Sequence, residues 1–163
     1  MHLHDDSITA VLFSRPAARA YVSGDAKHPA LHGYADFYPC RNGTLLLAEF
    51  WGLPFETAAC AQNIFAMHIH AGRDCSGAKD MAFAGAGGHF NPDNCPHPAH
   101  AGDLPPLFGN QGHAWSAFYT ERFSPETVTG RTLLVHGRRD DFTSQPAGDA
   151  GERIGCGVIK ALR

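Results

Sequence analysis

Short apolar runs broken by turn-forming residues recur along this chain, and few of them carry the 3.6-residue period of a helix. Strand-like pieces are predicted over 18–22, which leads into Ser23-Gly24-Asp25, and over 33–38 and 44–50. The last two flank Cys40-Arg41-Asn42-Gly43, where Asn-Gly signals a hairpin. Further strands are predicted over 63–70, 114–120, 131–136 and 154–159. Between them, residues 71–113 are rich in Gly, Pro, Asn, Asp and His and show almost no apolar period. A loop that long inside a compact domain is usually functional or disordered. A second irregular stretch, 137–152, is shorter. The pattern predicts an all-β sandwich or flattened barrel carrying two large loops, as a single domain over 1–163 whose first eight residues form a flexible terminus.

Composition narrows the class. A chain of 163 residues with 44% hydrophobic and 18% charged residues has the balance of one globular domain with a real core. A formal charge of −3 offers no basic stripe, so neither nucleic acid nor a membrane surface is an expected partner. No apolar run approaches the ~20 residues of a membrane-spanning helix. His2, His4, Asp5 and Asp6 stand where a secretory leader would place positive charge and then apolar residues. That points to the cytoplasm, or to an exported chain whose leader has been removed. His2 and His4 are expected to belong to a plain tail rather than a copper-capturing one.

Eleven histidines are many for this length, and several crowd between Met67 and Gly137. On a strand, His68 and His70 in Met67-His68-Ile69-His70 would project to the same face. Alone, that pair is as compatible with ordinary surface or core histidines as with a metal site. It is followed by Gly88-His89-Phe90-Asn91-Pro92 and by His97-Pro98-Ala99-His100-Ala101-Gly102-Asp103, which offers two imidazoles and a carboxylate at three-residue intervals. Three such ligands plus a fourth, for which His89 is the candidate, make a closed zinc site. His136 ends the strand-like run Arg131-Thr132-Leu133-Leu134-Val135 and can face the same way as His68 and His70.

These segments resemble, in order, the motifs of the copper–zinc superoxide dismutases. Phe65-Ala66-Met67-His68-Ile69-His70 is similar to the strand bearing the first copper ligands, and Gly88-His89-Phe90-Asn91-Pro92 to the bridging-histidine segment. Gly130-Arg131-Thr132-Leu133-Leu134-Val135-His136 resembles the strand with the last copper ligand, followed by the acidic pair Asp140-Asp141. The segment 148–159 resembles the family's terminal signature. The likeness is strong over 60–160; the N-terminal third shares only a general strand pattern.

The resemblance implies an eight-stranded Greek-key β-barrel or sandwich and the dismutation of superoxide to oxygen and hydrogen peroxide. It assigns copper to His68, His70, His89 and His136, and zinc to His89, His97, His100 and Asp103, with His89 bridging and exchanging a proton. Asp140 would hydrogen-bond the far nitrogens of His68 and His97. Arg153 would guide the anionic substrate, and Cys75 and Cys156 would form a disulfide. The family forms dimers through different faces, so a homodimer and a monomer both stay open. The chain departs from the pattern in a shorter 137–152 loop, in Phe142-Thr143-Ser144-Gln145-Pro146 where the family is more charged, and in Ala147 where it carries threonine.

Five cysteines leave at least one unpaired; Cys40, Cys60 and Cys95 fall outside the resemblance, and a Cys40–Cys95 pair is one option. His28, His32 and His113 read as ordinary histidines. The competing readings are a metal-binding relative without turnover and a zinc hydrolase. The latter is disfavoured because no His-Glu-x-x-His or Gly-x-Ser-x-Gly motif occurs.

Overall fold

The computed structural model describes residues 8–163. The expected N-terminal tail with His2 and His4 lies outside the described residues, except for Ile8, which begins the short helix α1 (Ile8–Val11). The strands are β1 (Ala18–Gly24), β2 (His32–Cys40), β3 (Gly43–Trp51), β4 (Ile64–Phe65), β5 (Met67–His70), β6 (Leu107–Phe108), β7 (Ala114–Thr120), β8 (Thr132–His136) and β9 (Arg153–Ala161). A second short helix, α2 (Pro125–Val128), precedes β8.

Seven strands form one antiparallel sheet in the order β5-β8-β9-β1-β2-β3-β7, and β4 pairs with β6. The meander β1–β3 is followed by a crossover to the far edge, a return beside β3, and a second crossing to β8. Those crossovers make the sheet a Greek key. Alternation supplies the core: Ala18, Ala20, Val22, Ala35, Phe37, Leu46, Ala48, Phe50, Met67, Ile69, Leu133 and Val135 are buried together on one face.

Two details differ from the sequence pattern. The hairpin turn is Arg41-Asn42, with Cys40 paired to Gly43, so the Asn-Gly pair straddles the start of β3 instead of forming the turn. Arg41 itself takes a left-handed φ of 49°. The expected strand over 63–70 is split at Ala66, which donates to Arg138 and accepts from His136, while β4 turns away to pair with β6.

Candidate metal centre

His68 and His70 alternate with the core residues Met67 and Ile69, so their imidazoles lie on the opposite face of β5. Met67 pairs with Val135 on β8, and a register shift follows between Val135 and His136, bringing His136 beside that same face. The outer edge of β5 has no further named strand and is instead covered by the long loop. Phe90 donates to Ile69 at 2.8 Å, Ile69 donates to Gly102 at 2.9 Å, and Gly102 donates to Phe90 at 2.9 Å. Bridge pairings set His89 opposite His70 and Asp103 opposite His68. Gly102 is required in that interlock, because a Cβ would run into the carbonyl oxygen of Ile69.

Two groups of donor atoms result, each within 4.8 Å: His68, His70, His89 and His136, and then His89, His97, His100 and Asp103. His89 belongs to both. Four of the other rings, those of His68, His70, His97 and His136, are oriented by a contact at the far nitrogen. His68 Nε2 lies 2.7 Å from one oxygen of Asp140 and His97 Nε2 lies 2.9 Å from the other. His70 Nδ1 donates to the carbonyl of Gly87 at 2.9 Å, and His136 Nδ1 faces that of Gly151 at 3.4 Å. His89 Nδ1 sits 2.7 Å from Asp103 Oδ1, while His97 and His100 Nδ1 stand 3.1 and 3.3 Å from Oδ2.

The nitrogens left over test whether a metal fits. His68 Nδ1, His70 Nε2, His89 Nε2, His97 Nδ1 and His136 Nε2 are buried without a hydrogen-bond partner. Leaving such an atom unsatisfied costs about 1–3 kcal/mol each, and a cation would satisfy several at once. Burial pushes the imidazoles of His68 and His70 below their ordinary values and that of His136 to about 3, which keeps them neutral with a lone pair to offer. Burial alone would raise Asp103; the hydrogen bond from His89 and the neighbouring imidazoles hold it down at about 2. The first group is all imidazole; the second is three imidazoles and a carboxylate, a set typical of closed zinc sites.

The architecture has a family counterpart. A family model described as copper/zinc superoxide dismutase matches residues 46–159. The chain belongs to the copper/zinc superoxide dismutase family. Among curated relatives, the Cu-Zn superoxide dismutase of Deinococcus radiodurans is 33% identical over 148 residues, covering 80% of this chain and 78% of the relative. Cu-Zn superoxide dismutase 2 of Aquifex aeolicus is 34% identical over 143 residues, covering 78% of each. The solved Cu/Zn superoxide dismutase from Brucella abortus superposes with a TM-score of 0.73 at 24% identity, over 88% of this chain and 99% of that one, a likeness of fold.

Around the dismutase-family centre, Arg153 on β9 is the cross-strand partner of His136. It donates to the carbonyls of Phe83 at 2.8 Å and Gly87 at 2.5 Å, so it is pinned rather than free in solvent. Burial lowers its guanidinium from the ordinary value. The disulfide Cys75–Cys156, with Cα atoms 5.8 Å apart, ties the segment carrying those carbonyls to β9. Cys40, Cys60 and Cys95 are all unpaired, so the Cys40–Cys95 option does not occur: Cys40 packs with Tyr38 and Leu45 under α1. His136 also lines an open depression of about 450 Å³ with Ser144, Gln145, Pro146 and Ala147.

Two supports for the loop that holds His97, His100 and Asp103 are not visible from residue spacing. Arg122 Nη1 faces the carbonyls of Pro98, His100 and Asp103 at 3.0, 3.2 and 3.4 Å. Gln145 bonds both main-chain atoms of His97. Their partners are backbone atoms, which no residue spacing announces. Among the described residues no helix is long and apolar enough to cross a membrane.

Proposed function

We infer that the chain disproportionates superoxide, converting two superoxide anions and two protons to oxygen and hydrogen peroxide. His68, His70, His89 and His136 would hold copper, and His89, His97, His100 and Asp103 would hold zinc. Bound copper supplies one-electron chemistry, accepting an electron from one superoxide and returning it to the next. The observation that carries the reading is the placement of His89: its Nε2 is unpartnered inside the first group while its Nδ1 faces Asp103 in the second.

His89 is the residue offered to both groups, and its unpartnered Nε2 is the atom that would take up a proton and pass it to the developing peroxide. Asp103 keeps Nδ1 directed away from that exchange. Asp140 fixes the tautomers of His68 and His97 together, since each far N–H is committed to one of its oxygens. Arg153 adds positive charge beside His136, where an anion must arrive.

The test is to load the purified chain with copper and zinc, measure both per subunit by mass spectrometry, and follow superoxide removal. Binding of both metals with turnover supports the reading. Zinc uptake without copper binding or turnover would favour a metal-binding relative that does no chemistry.

A further inference from the structure

The loop 137–152 is held together mostly by its own bonds. Gly137 donates to Glu152 at 2.8 Å, Arg138 to Ala150 at 3.0 Å, Asp141 to Gly148 at 2.9 Å and Gly148 to Ser144 at 2.8 Å. Asp141 also accepts the amides of Thr143 and Ser144, each at 2.8 Å. Past Asp140, the hydrogen bonds linking residues 141–149 to another segment of the described chain come down to one side chain. Gln145 Oε1 accepts from the His97 amide at 3.0 Å, and Gln145 Nε2 donates to the His97 carbonyl at 2.6 Å. An amide side chain here imitates a strand pairing with a single residue, and only this orientation of its oxygen and nitrogen satisfies both bonds.

The residue so gripped carries the imidazole whose far nitrogen is bound by Asp140. Asp140 in turn passes over Gly148, at φ 68°, where a Cβ would collide with its carboxylate. The stretch 144–147 that Gln145 anchors forms the wall facing His136 in the open depression. Thus the wall of one metal pocket hangs on the main chain of a ligand to the other.

We propose that Gln145 is a positioning residue, whose two-point clamp on His97 makes the order of the wall 144–147 depend on the loop that holds the second metal. The dependence on metal rests on assigning zinc to His97, His100 and Asp103; the clamp itself does not. Loss of both bonds should raise the local opening of 141–149 by about tenfold, as expected for two net hydrogen bonds of modest strength.

Residue-resolved amide exchange on the reduced copper- and zinc-loaded protein tests this, with metal content measured alongside. In Gln145→Ala the amides of His97 and of 141–149 should both exchange about tenfold faster than in the wild type. Gln145→Glu has nearly the same shape and keeps an acceptor for the His97 amide, but sets a second oxygen against the His97 carbonyl. In that variant the His97 amide should stay protected while 141–149 loosens, a split that a general loss of packing would not produce. Wild-type protection of 141–149 in both variants overturns the clamp, as does equal exposure of His97 in both. Should Gln145→Ala fail to fold, the near-isosteric variant decides alone. Removing zinc from the wild type should reproduce the loosening of 141–149. A wild type that takes up no zinc overturns the metal assignment, while the exchange pattern of the variants still reads the clamp.

Discussion

The two groups of ligands are built in opposite ways. His68 and His70 sit on β5 and His136 on β8, so the ladder between those strands sets their spacing before any side chain contributes. His97, His100 and Asp103 sit in a loop with no ladder, and their placement depends on Asp140, Gln145 and Arg122 reaching in from elsewhere. The difference teaches where each site is vulnerable. The strand-borne group should tolerate the loss of an orienting bond, whereas the loop-borne group should lose its geometry when one support is removed.

The largest effect is expected at the one residue common to both. His89→Ala should abolish the distinction and lower superoxide removal by more than about 100-fold, since losing even a residue that only orients a ligand costs about 10- to 100-fold. Copper and zinc occupancy measured by mass spectrometry should both fall. Retained occupancy of either metal would show that one group stands without the bridge.

Next comes the covalent tie. Reducing or replacing the Cys75–Cys156 pair, as in Cys75→Ser with Cys156→Ser, opens a loop of sequence separation 81. Chain entropy puts the loss of stability at about 4.5 kcal/mol, checked by denaturant unfolding. The strand-borne group borrows only the Gly87 carbonyl from the tied segment, so its copper affinity should fall far less than the stability.

Asp140→Asn should separate the groups most directly. It replaces one acceptor oxygen by a donor, so one of His68 and His97 loses its partner. Zinc affinity should drop by about 10- to 100-fold in a chelator competition, with a smaller change for copper, whose ligands keep the strand geometry. An equal loss at both sites would break the comparison.

How much of this was legible follows from the same contrast. The strands were readable because alternation and turn residues are local, and His68 and His70 were readable because the period of a strand is two. The loop ligands stood out by spacing in His97-Pro98-Ala99-His100-Ala101-Gly102-Asp103, and their allocation came through family resemblance. Arg122 and Gln145 were not legible, because they recognise carbonyl and amide groups that every residue possesses. The break at Ala66 was hidden too: a continuous apolar run does not reveal that half of it will pair with β6. Nor did the run of residues before Ala18 announce α1, whose Ile8 and Val11, with Leu12 just after it, pack against Tyr38, Cys40 and Leu45 on the sheet.

The smallest expected effect concerns approach, which neither group controls. Arg153→Ala should slow superoxide removal several-fold at low ionic strength, and the gap should narrow as salt rises above about 0.1 M, where the Debye length falls to about 10 Å. An unchanged rate at low salt would leave Arg153 as a brace for Phe83 and Gly87 only.

The carbonyl oxygen of Gly87 receives both the His70 ring and the Arg153 side chain. A ligand's tilt and the position of the nearest cation are therefore mechanically geared to one peptide unit. The sulfur link at Cys75 is one of the ties on the segment that carries this unit, so a change of redox surroundings would bear on the imidazole and on the positive charge together.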